Sequence, residues 1–281
     1  MKIKASSHQS GLSMVELLVV LAVSSFLILG ITQAYIENNR SHAFQISQSS
    51  NTENGRFASL TLNEYLSKAG YRRAPAELPE TSFSKRAAQD DCLAFNGGAA
   101  VTALDPSKGI GFCIRYQPAY SGELDCQGIA SQSFPENTAF NEVPESSTII
   151  LAIKYLPSET ADLHKGTLLC KSLNTEKPQY VELIDGVADF RVDFGTGRDT
   201  SVETYVSQAD WDPTVDDEIR SVRYAMLLSS RDSQRDSDDS KVLDDWLADA
   251  SAAIKGRLQG NDNKRLYQIA YGNQSVRNQT R

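Results

Sequence analysis

The sequence is short of histidine, of closely paired cysteines and of surplus positive charge, and each shortage removes a class of function. Only His8, His42 and His164 occur, far apart in the chain. No G-x-S-x-G or H-E-x-x-H motif accompanies them, so neither a histidine-assisted nucleophile nor a zinc hydrolase is indicated. A catalytic site would have to rest on carboxylates or cysteines alone, and the reading is that the chain is not an enzyme. Basic residues number 28 against 36 acidic ones, a formal net charge of −8. Phosphate binding needs clustered Lys and Arg, so nucleic acid is not indicated as a partner. No glycine-rich phosphate loop follows a strand, and no cofactor is expected. The acidic stretch at 231–239 lacks the glycine and closing glutamate of an EF-hand, and it reads as a solvated loop.

Cysteine is sparse: Cys92, Cys113, Cys126 and Cys170, none in a C-x-x-C pair and none beside a histidine. No metal site is expected from them. All four follow the apolar N-terminal segment. If they lie outside the cytoplasm, an even count reads as two disulfides, with three pairings open.

Long apolar runs are confined to one place. From Leu12 to Ile36 the chain is almost continuously apolar, and it carries a single acidic residue there, Glu16. About 20 apolar residues suffice to cross a bilayer as a helix. Lys2 and Lys4 precede the run, which sets the N-terminus on the cytoplasmic side and the remainder outside it. An ordinary secretory signal would place its small-residue cleavage site after the apolar core. Here the small residue, Gly11, comes before it. Glu16 is the anomaly, because a carboxylate at mid-bilayer costs about 2.5–3.5 kcal/mol and persists most easily beside a neutralising partner.

The order Gly11, Leu12-Ser13-Met14-Val15-Glu16 and then Leu-Leu-Val-Val resembles the type III signal sequence of type IV pilins and pseudopilins. The resemblance implies cleavage by prepilin peptidase after Gly11 and N-methylation of Leu12, where most members carry phenylalanine. It also implies that Glu16 pairs with the N-terminal amine of a neighbouring subunit. Opposite charges attract strongly at low dielectric, and either one alone would be costly there.

No proline interrupts the chain between Ile36 and Gly70, and Phe57, Leu60, Leu66 and Ala69 recur at helical spacing with Tyr65 flanking. The pattern predicts one helix from Leu12 to about Ala69, with Gly70 at its C-terminus and Pro75 preventing resumption. Gly55 would weaken it by about 1 kcal/mol unless packing compensates. Residues 75–147 read as loop-rich, with short strands at Cys92–Phe95 and Gly111–Tyr116. Period-two alternation marks strands at Ile149–Tyr155, Val187–Phe194 and Val222–Leu228, as expected of an antiparallel sheet with one face packed and one wet. Val242 to Ile254 has helical character, with Leu243, Trp246, Leu247 and Ala250 on one face. The fold class is therefore α+β, a long N-terminal helix against an antiparallel sheet. The expected division is a leader at 1–11, a transmembrane and filament-core helix at 12–36, a head-packing half-helix at 37–70 and a periplasmic head at 71–281.

Gly55-Arg56-Phe57-Ala58, Ala69-Gly70-Tyr71-Arg72 and the segment Val181–Gly195 are similar to motifs of the PilW family of minor pilins, as are Ile219–Ser230 and Arg265–Asn278. The resemblance implies a minor pilin in a tip or priming complex that initiates pilus assembly, with a bearing on adhesion, twitching motility or DNA uptake. Its implied partners are other minor pilins, the major pilin, a tip adhesin, the inner-membrane assembly platform and prepilin peptidase. Its implied location is the bacterial inner membrane before assembly and the pilus, at its tip, afterwards. A type II secretion pseudopilin shares the N-terminal logic, and a membrane-anchored periplasmic ligand-binding or enzymatic domain is the alternative of another class.

Overall fold

The structure is a computed structural model that describes residues 11, 13–136, 143–175, 177–198 and 201–276. The expected leader therefore lies outside the described residues except for Gly11, and so does Leu12. The chain divides into two compact units, one ending at Ile46 and the other starting at Ser47.

The first unit holds the start of helix α1 (Met14–Lys68). This helix is long and apolar enough to cross a membrane, and its most apolar stretch has no buried residue. Three hydroxyls inside that stretch, on Ser24, Ser25 and Thr32, each donate to the carbonyl four residues earlier at 2.7 Å. A hydroxyl satisfied by its own helix can enter lipid without an unpaired polar group.

The second unit holds the rest of α1 and the strands β1 (Val101–Ala103), β2 (Ile110–Tyr116), β3 (Ile149–Leu156), β4 (Thr167–Ser172), β5 (Val181–Ile184), β6 (Val187–Thr196), β7 (Thr204–Ser207), β8 (Ile219–Ser233) and β9 (Arg265–Ser275). Short helices α2 (Pro79–Ser82), α3 (Lys241–Leu247) and α4 (Ala252–Gly260) complete it. The antiparallel architecture is as expected, but it forms two sheets, β1-β2-β3-β4-β5 and β7-β6-β8-β9. The boundary falls at Gly186, whose φ of +75° turns the chain sharply between β5 and β6.

The predicted strands at 149–155, 187–194 and 222–228 are present, the first two slightly longer and the third extended to 15 residues. The one expected at Cys92–Phe95 is not a strand. Its residues make isolated bridges to Arg86, Gln89 and Leu104. The expected helix from Val242 to Ile254 is two helices, because Ser251 starts α4 afresh with its side chain accepting from the Ile254 amide.

The alternating apolar faces of both sheets meet the second half of α1 in one core. Ile149, Leu151, Ile153 and Tyr155 from β3 join Phe190, Val192 and Phe194 from β6 and Val222, Tyr224 and Met226 from β8. The opposite faces are less wet than period two suggests. Behind the first sheet, Ile150 and Ala152 pack on Cys92, Phe95 and Leu104. Behind part of the second, Ala188 and Leu227 pack on Leu243, Trp246, Leu247 and Leu258 of the helical pair.

The stripe assigned to α1 needs correction. Leu66 and Ala69 are buried, but Phe57 and Leu60 are 58% and 67% exposed. The buried face within α1 runs instead through Asn51, Gly55, Ala58, Leu62 and Leu66. Close approach explains the choice. A Cβ at Gly55 would stand 2.9 Å from Leu228 Cδ1 and 3.3 Å from Ala270 Cβ. The helix therefore meets β8 and β9 closely at its small residues Gly55 and Ala58, with Leu62 and Leu66 following on the same face, while Phe57 and Leu60 turn outward. At its end Gly70 adopts φ +73° and donates its N–H to the Arg115 carbonyl of β2 at 2.9 Å. The expected cap is present, and it also fastens the helix to the first sheet.

Gly55→Leu is expected to destabilise the head by about 1–3 kcal/mol through overpacking. Leu62→Ala should cost about 2–5 kcal/mol, and the outward Phe57→Ala distinctly less. Denaturant unfolding of the detergent-solubilised chain checks the order, and a larger loss from Phe57→Ala than from Leu62→Ala would contradict this packing.

Candidate functional site

The residues singled out from the sequence lie at the start of α1. Gly11 is exposed and lies outside the helix, which begins three residues later at Met14. Glu16 sits in its first turn, where the unpaired amides and the helix dipole favour a negative charge. Its Oε2 accepts from the Ser13 N–H at 3.2 Å, and Ser13 in turn accepts at its carbonyl from the Leu17 N–H. The carboxylate is thus held near the N-terminal end of the helix by one local bond. It remains exposed, as do Met14, Leu17, Leu18 and Val20 around it. A carboxyl group ringed by exposed apolar side chains is suited to a cationic partner arriving with an apolar surface of its own.

Among the described residues no group of three or more His, Cys, Asp or Glu could hold a metal ion. Of the 231–239 stretch, Arg231 to Ser233 continue strand β8, and Arg235 pairs with Asp262. Cys92 is bonded to Cys113 and Cys126 to Cys170, one of the three pairings left open by the sequence. Both bridges fasten loop to sheet, the first to β2 and the second to β4. Separations of 21 and 44 residues correspond to about 3–4 kcal/mol each on the chain-entropy account.

Three polar clusters went unnoticed in the sequence because their members are far apart along it. Arg115 of β2 is buried between the rings of Phe83 and Phe95 and donates to the carbonyls of Phe83, Ser84, Asn96 and Ala99. Burial lowers its pKa to about 10, with Arg86 nearby acting in the same direction. Asp189 of β6 accepts from Trp246 Nε1 at 2.9 Å and from Arg257 at 2.6 Å, so one carboxylate holds both α3 and α4. Burial raises its pKa, and the hydrogen bond from Trp246 and the charge of Arg257 pull the other way.

The third cluster lies behind the first sheet. Asp91 accepts from Tyr180 Oη at 2.6 Å and pairs with Lys154 at 3.2 Å and Lys171 at 3.7 Å. Burial alone would raise the Asp91 pKa, but the Tyr180 hydroxyl and the two lysines hold it below the usual carboxylate value. A carboxyl whose folded pKa is depressed contributes stability above its unfolded pKa and loses it as pH falls through the folded one. The head is therefore expected to lose stability on acidification below about pH 4, the ordinary carboxylate range. Asp91→Asn should flatten that decline. Thermal unfolding of both proteins across the acidic range is the check, and parallel curves would remove Asp91 as a source.

The comparisons with known proteins fall on these same features. The model of the prokaryotic N-terminal methylation motif matches residues 6–32, which contain Gly11 and Glu16. The model of Type IV Pilus-assembly protein W matches residues 155–277, from the end of β3 through β9. No curated protein matches the chain. Among solved structures, a type IV-like pilin from Thermus thermophilus aligns at a TM-score of 0.44 and 13% identity, over 82% of this chain and 98% of its own. The chain thus carries the N-terminal methylation motif at the start of its membrane-length helix, and over residues 155–277 its head is similar to the Type IV Pilus-assembly protein W family.

Proposed function

We propose that the chain is a minor pilin of a tip or priming complex, in which it starts pilus polymerisation together with other pilins. Before assembly it is anchored in the inner membrane with its head in the periplasm. Prepilin peptidase cuts after Gly11, and Leu12 becomes the methylated N-terminus. The charge on Glu16 neutralises the amine of a neighbour while exposed apolar side chains of the two helices pack together. The head then selects which pilin stands above or below.

The observation that carries this reading is the isolated carboxylate on an otherwise apolar, exposed helix start. In lipid such a charge is tolerable near the interface and becomes favourable once a cation shares it. The family's role in pilus assembly supports the reading. A head knitted by carbonyl-bonded arginines and two disulfides is suited to presenting a fixed surface.

Glu16→Ala should leave leader cleavage intact and abolish incorporation. Normal amounts of the variant in sheared pili would sink the pairing role. Deletion of the gene, scored in one strain, should remove surface pili and spare export of a type II secretion substrate. The reverse result would identify a pseudopilin. An uncleaved leader in wild-type cells would point instead to a membrane-anchored periplasmic domain.

A further inference from the structure

We infer that strand β9 is a docking edge, which takes an extended, uncharged strand from another pilin-class head. This deepens the assembly reading above and rests on it.

Sheet edges are hazards that folded proteins blunt with short strands, bulges, prolines or charges. Three of the four edges here are short, since β1 has 3 residues and β5 and β7 have 4 each. The fourth is β9, with 11. It pairs with β8 on one side and with no strand on the other among the described residues. From Ser275 to Tyr267 its register with β8 runs without a shift. From Leu266 to Val276 it contains no charged residue and no proline, in a chain that is 23% charged. None of the usual protections is present on it.

Which backbone groups it offers follows from alternation. The Val276 N–H donates to the Arg220 carbonyl on the β8 side at 2.8 Å. In an antiparallel ladder the next residue faces the opposite way, and so on along the strand. The N–H and C=O groups of Tyr267, Ile269, Tyr271, Asn273 and Ser275 are thereby turned to the open edge. Among the described residues the Ser275 carbonyl takes a long bond from Nε2 of its neighbour Gln274, at 3.4 Å, and no other strand pairs with these groups. Tyr271 is 78% exposed.

A second observation lies alongside. The outward side chains Phe57 and Leu60 of α1, with Thr61, Glu64 and Gln274 of β9, line a shallow groove beside this edge. A strand added to β9 would turn alternate side chains toward that groove and cover Phe57 and Leu60. Backbone bonds supply affinity in such an addition, and the alternate side chains supply selectivity. An occupant that is uncharged, like β9 itself, avoids placing an unpaired charge against Phe57 and Leu60. Another pilin-class head is the occupant because the type IV pilin family interacts with other pilins.

The test places a photo-crosslinking phenylalanine analogue at Asn273 of the full chain, in cells that assemble pili, with Val215 as the exposed control position. The expected result is an adduct at 273, and not at 215, whose cross-linked peptide is an uncharged extended segment of a different pilin. Tyr271→Pro removes an edge-facing N–H without touching the bonds to β8, and it should reduce the adduct at least tenfold. Tyr271→Lys places a charge on the edge and should do the same, which decides the matter if the proline variant fails to fold. An adduct with a second copy of this chain, or with a protein of another class, would overturn the inference. So would an adduct of undiminished yield in a folded Tyr271 variant. Normal incorporation of the chain into sheared pili with no adduct at 273 would overturn the edge pairing while leaving the assembly role in place.

Discussion

The head depends on how closely a helix can approach a sheet. Gly55 and Ala58 bring α1 so near β8 and β9 that a single added methyl group would press on Leu228. Tyr224 crosses the same interface, its hydroxyl 3.0 Å from Asn63 Oδ1 and 3.2 Å from the Ser59 carbonyl. Gly272 makes room for it, because a Cβ there would stand 2.4 Å from that hydroxyl oxygen. The glycine cost inside the helix, about 1 kcal/mol, is offset by dispersion contacts that a larger residue would prevent. Turning the small residues inward also turns Phe57 and Leu60 outward. The close contact that holds the head together is thus the same feature that leaves Phe57 and Leu60 exposed beside β9.

A second physical theme is how irregular backbone is satisfied. Residues 71–100 contain little regular structure, and their carbonyls would be costly if buried without partners. Arg115 answers several of them at once, a use for which five donors on a planar group are well suited. Arg265 does the same for the carbonyls of Ser230 and Arg231 at the end of β8. Together with the two disulfides these arginines let loops cover sheet faces that helices would cover in a larger protein.

The N-terminal segment and the head were legible to very different degrees. Gly11, Glu16 and the apolar run are neighbours in the chain, so their chemistry can be read in order. The strands at 149–156, 187–196 and 219–233 were legible because their alternation persists over many residues. The stripe on α1 was misread because large apolar residues are the ordinary sign of a buried face. Here distance of approach favoured small ones. The Cys92–Phe95 segment has strand-like composition, but its contacts are isolated bridges and a single backbone bond to Ala103 at the end of β1, too few to make a ladder.

By itself the sequence determined the helix, its membrane length, the placement of a carboxylate in its first turn and the antiparallel character of the head. Those properties depend on residues within a few positions of one another, where periodicity and hydropathy act directly. Only the tertiary structure decided the disulfide pairing, the division into two sheets, the meeting of Asp91 with Tyr180 and the lysines, and the open edge of β9. Each of these depends on residues brought together by chain reversals, such as Tyr180 with Asp91 and Trp246 with Asp189. No local pattern encodes the distance between such residues. It is set by the packing of the whole head.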